Sequence, residues 1–180
     1  MGINNKSKNT KQISSSKNEI QWNPISENWR ENLKDKWWSS NYQGDKNAFT
    51  DDMKSMMVLR DKLLEIAGDE ACLPVSDEDY NNIINRGEII IDEKPIMMKG
   101  LASQCHMNSA LLWDNNRDKN IKIMTGYALS PDGMWRQHSW CVMDEKNKPK
   151  IVETTEPRAA YYGFVLSEEE SEEFFLNNAL

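Results

Sequence analysis

A chain of 180 residues with 38% hydrophobic and 28% charged residues suits one domain built on a single core. Its net charge of -7 and pI near 5.0 argue against the continuous basic surface that phosphate neutralisation on nucleic acid requires. No apolar run approaches the roughly 20 residues that span a bilayer, and the N-terminus carries Asn, Lys and Ser instead of a signal core, so the reading is a soluble cytoplasmic protein without a nucleic-acid or membrane partner.

Residues 1 to 20 hold four Lys, one Glu and almost nothing apolar before Ile20, too little to offset the entropy of ordering them. A disordered tail is expected there, followed by one domain over 21 to 180. Ser26 is placed to cap a first helix whose Trp29, Leu33 and Trp37 fall on one face. Gly44 breaks that pattern. Thr50 caps a second helix, Asp51 and Asp52 suit its N-terminal dipole, and apolar residues from Met53 to Ala67 recur every three or four positions until Gly68. A short third helix runs from Ser76 through Tyr80, Ile83 and Ile84 to Gly87, and "EIII" after it reads as a brief strand.

From Ile121 the period changes to two. "IKIMTGYAL" and "MWRQHSWCVM" flank "SPDG", a tight connection between antiparallel strands, and "KIVETT" follows a second turn as a third strand. The acidic "LSEEESEEFFLNNAL" predicts a C-terminal helix with a solvated Glu face.

Between these halves, "GLASQCHMNSALLW" sets Cys105 just where a polar loop gives way to a helical pattern. With Ser103 as N-cap, the sulfur sits in the first turn, where free N–H groups and the helix dipole favour thiolate. The competing reading of a free cysteine is a small buried hydrophobe. The three cysteines, Cys72, Cys105 and Cys141, are widely spaced and form no CxxC pair, so neither a disulfide framework nor a structural zinc site is indicated.

The chain has two histidines. Alternation along the second hairpin strand puts Arg136, His138, Trp140 and Val142 on one face and Trp135, Gln137, Ser139 and Cys141 on the other. If Trp140 and Val142 face the Cys105 helix, His138 does too, and becomes the base. His106 is adjacent in sequence to Cys105 but points about 100° away on the helix. Glu153, on the next strand, is the carboxylate expected to orient the imidazole, with Asp144 or Asn147 as the replacements if it does not. Cys105, His138 and Glu153 arrive singly along the chain, which speaks against zinc; no metal or cofactor is expected.

The stretches "SQCHMNSALL", "TGYAL", "HSW" and "ETT" resemble the transglutaminase-like branch of the papain-like thiol enzymes, over roughly residues 100 to 156. The resemblance implies an α+β fold with a papain-like or transglutaminase-like core. The Cys helix packs on an antiparallel sheet, and additional helices precede it. It implies Cys105 as nucleophile, His138 as base and Glu153 as orienting acid, with Glu in place of the usual Asp. Backbone N–H of Cys105 is the first oxyanion donor by geometry, and Gln104, Asn41 or Gln43 supplies a second. Trp135 and Trp140 wall the acyl site or fill the core. The expected activity is acyl transfer from an amide, ester or thioester of a protein or peptide substrate, by hydrolysis, deamidation or transfer to an amine. The alternative is a non-catalytic module that keeps the fold and holds a partner protein.

Overall fold

The computed structural model describes residues 20–23, 50–74, 79–91, 94–145 and 148–180. The expected tail, the helix around Trp29, Leu33 and Trp37, the Ser76 cap, Asn41, Gln43, Asn147 and the middle of the second turn lie outside these residues. Ile20 does not belong to a tail. It is buried in the main core, while Asn23 N–H donates to Pro131 O at 2.8 Å and Trp22 Nε1 to Asp69 Oδ2 at 3.2 Å.

Helix α1 spans Asp51–Ile66, and Thr50 Oγ1 accepts from Met53 N–H as the expected cap. Its Met56, Leu59 and Leu63 are fully buried, and Gly68, at φ 84°, turns the chain in the left-handed region that glycine tolerates. Strand β1 is Glu70–Cys72, helix α2 is Tyr80–Arg86, and β2, Glu88–Ile90, is the strand expected at "EIII". Strand β3 is Ile96–Met97, and helix α3 is Cys105–Asp114. Strands β4, Ile121–Leu129, and β5, Met134–Glu145, form the expected hairpin, and β6 is Lys148–Glu153. Strand β7 is Ala160–Val165, and helix α4, Glu168–Ala179, begins with a capping box between Ser167 and Glu170.

All seven strands join one sheet in the order β2-β7-β4-β5-β6-β3, with β1 attached to β5. The sheet is mixed, not antiparallel as expected, because β1 pairs parallel to β5 and β3 parallel to β6. Both parallel strands belong to the segment before the hairpin and return to it as edge pieces, which period-two patterning in the hairpin cannot reveal.

The two faces of the sheet are buried separately. On one face α1, α2, α3 and α4 pack over Ile123, Tyr127, Trp135, Cys141, Val152 and Phe164. On the other lie Met124, Ala128, Trp140, Val142, Ile151 and Tyr161. Gly163 keeps this second face open to a large ring, since a Cβ there would meet Trp140 Cη2 at 2.8 Å and Thr125 O at 2.3 Å. Among the described residues, no helix is long and apolar enough to cross a membrane.

Candidate active site

Strand β5 is flanked unevenly. On the edge away from β4, β1 pairs with Met134 to Arg136 and β6 with Cys141 to Glu145, leaving residues 137–140 without a strand on that side. The first turn of α3 enters this gap. Cys105 is its first residue, half-buried, and the backbone N–H groups of Ser139 and His106 lie near enough to its sulfur to favour the thiolate.

The body of α3 packs over the Ser139 and Cys141 face. Cys141 Sγ donates to Ser109 O at 3.5 Å, and His106 Nδ1 lies 2.7 Å from Ser139 Oγ, which donates on to Thr125 Oγ1 at 3.0 Å. The face shared by His138, Trp140 and Val142 is therefore not the one that meets the helix, contrary to expectation. Alternation tells which side chains share a face but not which face a helix covers. His138 reaches Cys105 at the strand edge, close enough that the imidazole and the thiol shift each other's titration.

His138 is 2% exposed, its ring 6.0 Å from that of Trp140 at 19° and 6.3 Å from that of Tyr161. Its Nε2 lies 2.9 Å from Glu153 Oε2, which leaves Nδ1 for the sulfur. Glu153, at the end of β6, is fully buried, and both of its oxygens are engaged. Oε1 accepts from Thr154 N–H at 2.9 Å, Thr155 N–H at 2.8 Å and Thr155 Oγ1 at 2.9 Å. Oε2 accepts from His138 and from Tyr161 Oη at 3.1 Å, and Tyr161 Oη in turn accepts from Arg158 N–H at 3.2 Å. The longer side chain of Glu lets the carboxylate fold back onto its own following backbone while still meeting the ring. An Asp here is one methylene short of doing both.

Burial pushes the Cys105 thiol up, but the hydrogen bond and charge of His138, with the two backbone N–H groups, outweigh it and leave the thiol below its ordinary value. For His138 burial disfavours the cation, yet Cys105 and Glu153 together raise it above the ordinary imidazole value. Burial likewise pushes Glu153 up, and His138 and Thr155 bring it below the ordinary carboxyl value. All three directions favour a thiolate, an imidazolium and a carboxylate in line. In this line His138 stands between the other two, so the groups do not converge on a common point as metal ligands do. Among the described residues no three His, Cys, Asp or Glu side chains gather into a metal-binding group.

The other expected site residues separate. Gln104 occupies the N-cap position beside Cys105 and is exposed, with no side-chain capping bond. Ser103 does not cap the helix; it takes a left-handed φ of 59°, a conformation a non-glycine residue adopts at a cost, and so swings the chain into the turn that presents Gln104 and Cys105. Trp135 is core, buried in the first cluster with Nε1 donating to Ala67 O at 2.8 Å. Trp140 is also fully buried, beneath His138, so neither ring forms an open wall of a substrate site. Asp144 is exposed, and Glu153 holds the place it was the reserve for.

Three partners of the site come from residues that sequence reasoning missed. Tyr161 lies in "AYYGFV", where consecutive apolar residues hide which ring faces which side. Thr155 completes the "ETT" run, a signal that small hydroxyl residues after the acid can hold it. Asn108, three residues into α3 from Cys105, clamps the preceding loop: its Oδ1 accepts from Leu101 N–H at 3.0 Å and its Nδ2 donates to Leu101 O at 2.7 Å. His106, Gln137, Thr125, Phe164 and Phe174 line a cavity of about 550 Å³ on the helix side of the sheet, and no member of the Cys105, His138 and Glu153 line borders it. Comparison of the chain with family models, with curated proteins and with solved structures finds no match.

Proposed function

We propose that the protein is a cysteine-dependent acyl-transfer enzyme in which Cys105 is the nucleophile, His138 the general acid and base, and Glu153 the orienting carboxylate. The observation that carries this reading is the single file of Cys105, His138 and Glu153, with Nε2 of the imidazole held at 2.9 Å by a carboxylate that is itself fixed through both oxygens. A helix starting at the cysteine and packed on strands that carry the other two groups also supports a transglutaminase-like core, as the resemblance of the motifs implies.

The chemistry follows from the charge states. The Cys105 sulfur attacks the carbonyl carbon and forms a C–S bond. Negative charge builds on the carbonyl oxygen, near the Cys105 N–H at the free start of α3 and the neighbouring Gln104 amide. Collapse breaks the bond to the leaving amine, alcohol or thiol, and His138 gives that atom its proton. Water or an amine then attacks the thioester, His138 takes up its proton, and the acyl product leaves as Cys105 regains its starting state. Glu153 keeps the charge of the imidazolium in place throughout.

The test is incubation of the full chain with a p-nitrophenyl ester, followed by intact mass and peptide mapping. Acylation of Cys105 in the wild type, absent from Cys105→Ala, is the expected result. No adduct on Cys105 removes the catalytic reading and leaves the non-catalytic module.

A further inference from the structure

The chain that leads to Cys105 is the last strand of the sheet. Strand β3 pairs parallel to β6 in the register Ile96 with Val152 and Met97 with Glu153, and the pairing continues beyond it through Met98 N–H to Glu153 O at 2.8 Å and Gly100 N–H to Thr154 O at 3.0 Å. Backbone groups alternate sides along an extended strand, so Met97 and Lys99 direct theirs away from the sheet. β3 ends the strand order, and no described strand lies beyond it.

This edge is apolar. Lys94 and Pro95 precede it and Lys99 follows, the kind of residues that discourage uncontrolled pairing, but Ile96, Met97 and Met98 between them are all exposed, and Leu101 is 62% exposed. Beside the edge opens a cavity of about 350 Å³, lined by Met98, Leu111 and Leu112 and also by the polar Lys99, Asn108 and Asn115, with apolar atoms supplying most of its surface. It suits one large apolar side chain. The Asn108 clamp on Leu101 ties this edge to the first turn of α3, so anything held there is held in fixed relation to Cys105.

We propose that the open edge from Met97 to Lys99 is the substrate-docking strand: an extended polypeptide adds to it as a further strand, drops an apolar side chain into the cavity between Met98 and Leu111, and so carries its scissile acyl group to Cys105. The proposal rests on the acyl-transfer reading for its last step and deepens it by naming the strand on which a polypeptide substrate docks and the side chain it selects. A row of alternating donors and acceptors at strand spacing is matched by another extended backbone and by no lipid or small metabolite, and the apolar cavity next to that row supplies the side-chain selection that backbone pairing lacks.

The experiment uses the full-length Cys105→Ala variant, which cannot turn over, and a fluorescein-labelled decapeptide of alternating Thr and Leu. Binding is read by fluorescence anisotropy, and amide hydrogen exchange is followed at Met97 and Lys99. The expected result is binding with slowed exchange at these two amides. Affinity falls at least tenfold when alternate peptide nitrogens are methylated, and again with Leu111→Glu, which puts a charge at the cavity. Equal binding of parent and methylated peptides, no binding, or protection that arises from dimerisation of the protein without peptide overturns the proposal. Acylation of the wild type by the p-nitrophenyl ester is scored separately. Acylation without peptide protection defeats the docking strand alone, and peptide protection without acylation defeats the catalytic reading alone.

Discussion

Cys105 and Cys141 both lie where α3 meets β5, and they carry opposite thiols. Cys141 is fully buried in the helix-side core, its Sγ donating to Ser109 O, and burial with the nearby Glu153 charge pushes it up to about 12. Cys105 is also penalised by burial, but it meets an imidazole and two backbone N–H groups at the gap in the strand edge, and its thiol falls below the ordinary value. The difference lies in what faces the sulfur. Burial beside a carboxylate keeps the proton on Cys141, while nearby N–H groups and a cation favour its loss from Cys105. The gap between β1 and β6 on the outer edge of β5 therefore does the chemical sorting, because it lets a helix start reach the imidazole in the plane of the sheet.

The largest expected effect comes from removing the favoured sulfur. Cys105→Ala abolishes turnover of any reporter ester, whereas Cys141→Ala leaves kcat within about twofold and lowers the melting temperature, as a small buried deletion does. A kinetic series with thermal melts reads both. Glu153→Gln sharpens the comparison next: it preserves size but takes away the charge that holds the imidazolium, so kcat falls by roughly 10² to 10⁴. Because the carboxylate also caps Thr154 and Thr155, this variant melts lower as well, and Glu153→Asp loses activity too, since the shorter side chain cannot span both sets of partners. Wild-type kcat in Glu153→Gln takes the carboxylate out of the account.

Tyr161→Phe is milder. It removes one of the two donors on Glu153 Oε2, a loss of about 1 kcal/mol, so kcat drops roughly fivefold while KM holds. An unchanged kcat makes the Tyr161 hydroxyl a packing detail. The smallest effect lies far from both cysteines. Arg86 grips Glu170 through both oxygens, and that hydrogen bond, against a little burial, holds Glu170 down to about 2. A depressed carboxyl contributes stability that is full above its ordinary value of 4.5 and fades as pH falls towards about 2. The pair is over a third exposed on the Arg86 side, so Arg86→Ala costs only about 0.5 kcal/mol at pH 7, and less at pH 3.

Much of this was legible in the residues, and the losses have physical causes. The β4, β5 and β6 strands show because period two and turn residues mark half-buried strands, and α4 shows because its acidic, partly amphipathic run reads as a helix with a solvated Glu face. β7 escaped because "AYYGFV" is buried on both faces and so does not alternate, and Tyr161 escaped with it. β1 and β3 are too short to carry a period at all. The line of Cys105, His138 and Glu153 was readable from residue type and order, but the route between them was not: sequence alternation placed His138 on the right face and left the helix on the wrong one. Ser103 was read as a cap from its type, and its left-handed backbone is a property of the loop that Asn108 clamps.

The pH dependence of alkylation tests the central claim most directly. Iodoacetamide is applied from pH 5 to 10, and the rate at each of Cys72, Cys105 and Cys141 is followed by peptide mapping. Cys105 should alkylate first at pH 6.5, with a rate that rises through a midpoint below the ordinary thiol value of 9.0, while Cys141 stays unmodified in the folded protein. Since His138 is raised, the imidazolium that holds the thiolate should be lost only above the ordinary value of 6.5, so ester turnover should trace a bell between the two limbs. A Cys105 rate that rises only at or above 9.0, or that lags behind Cys72 at pH 6.5, contradicts the thiolate–imidazolium pair.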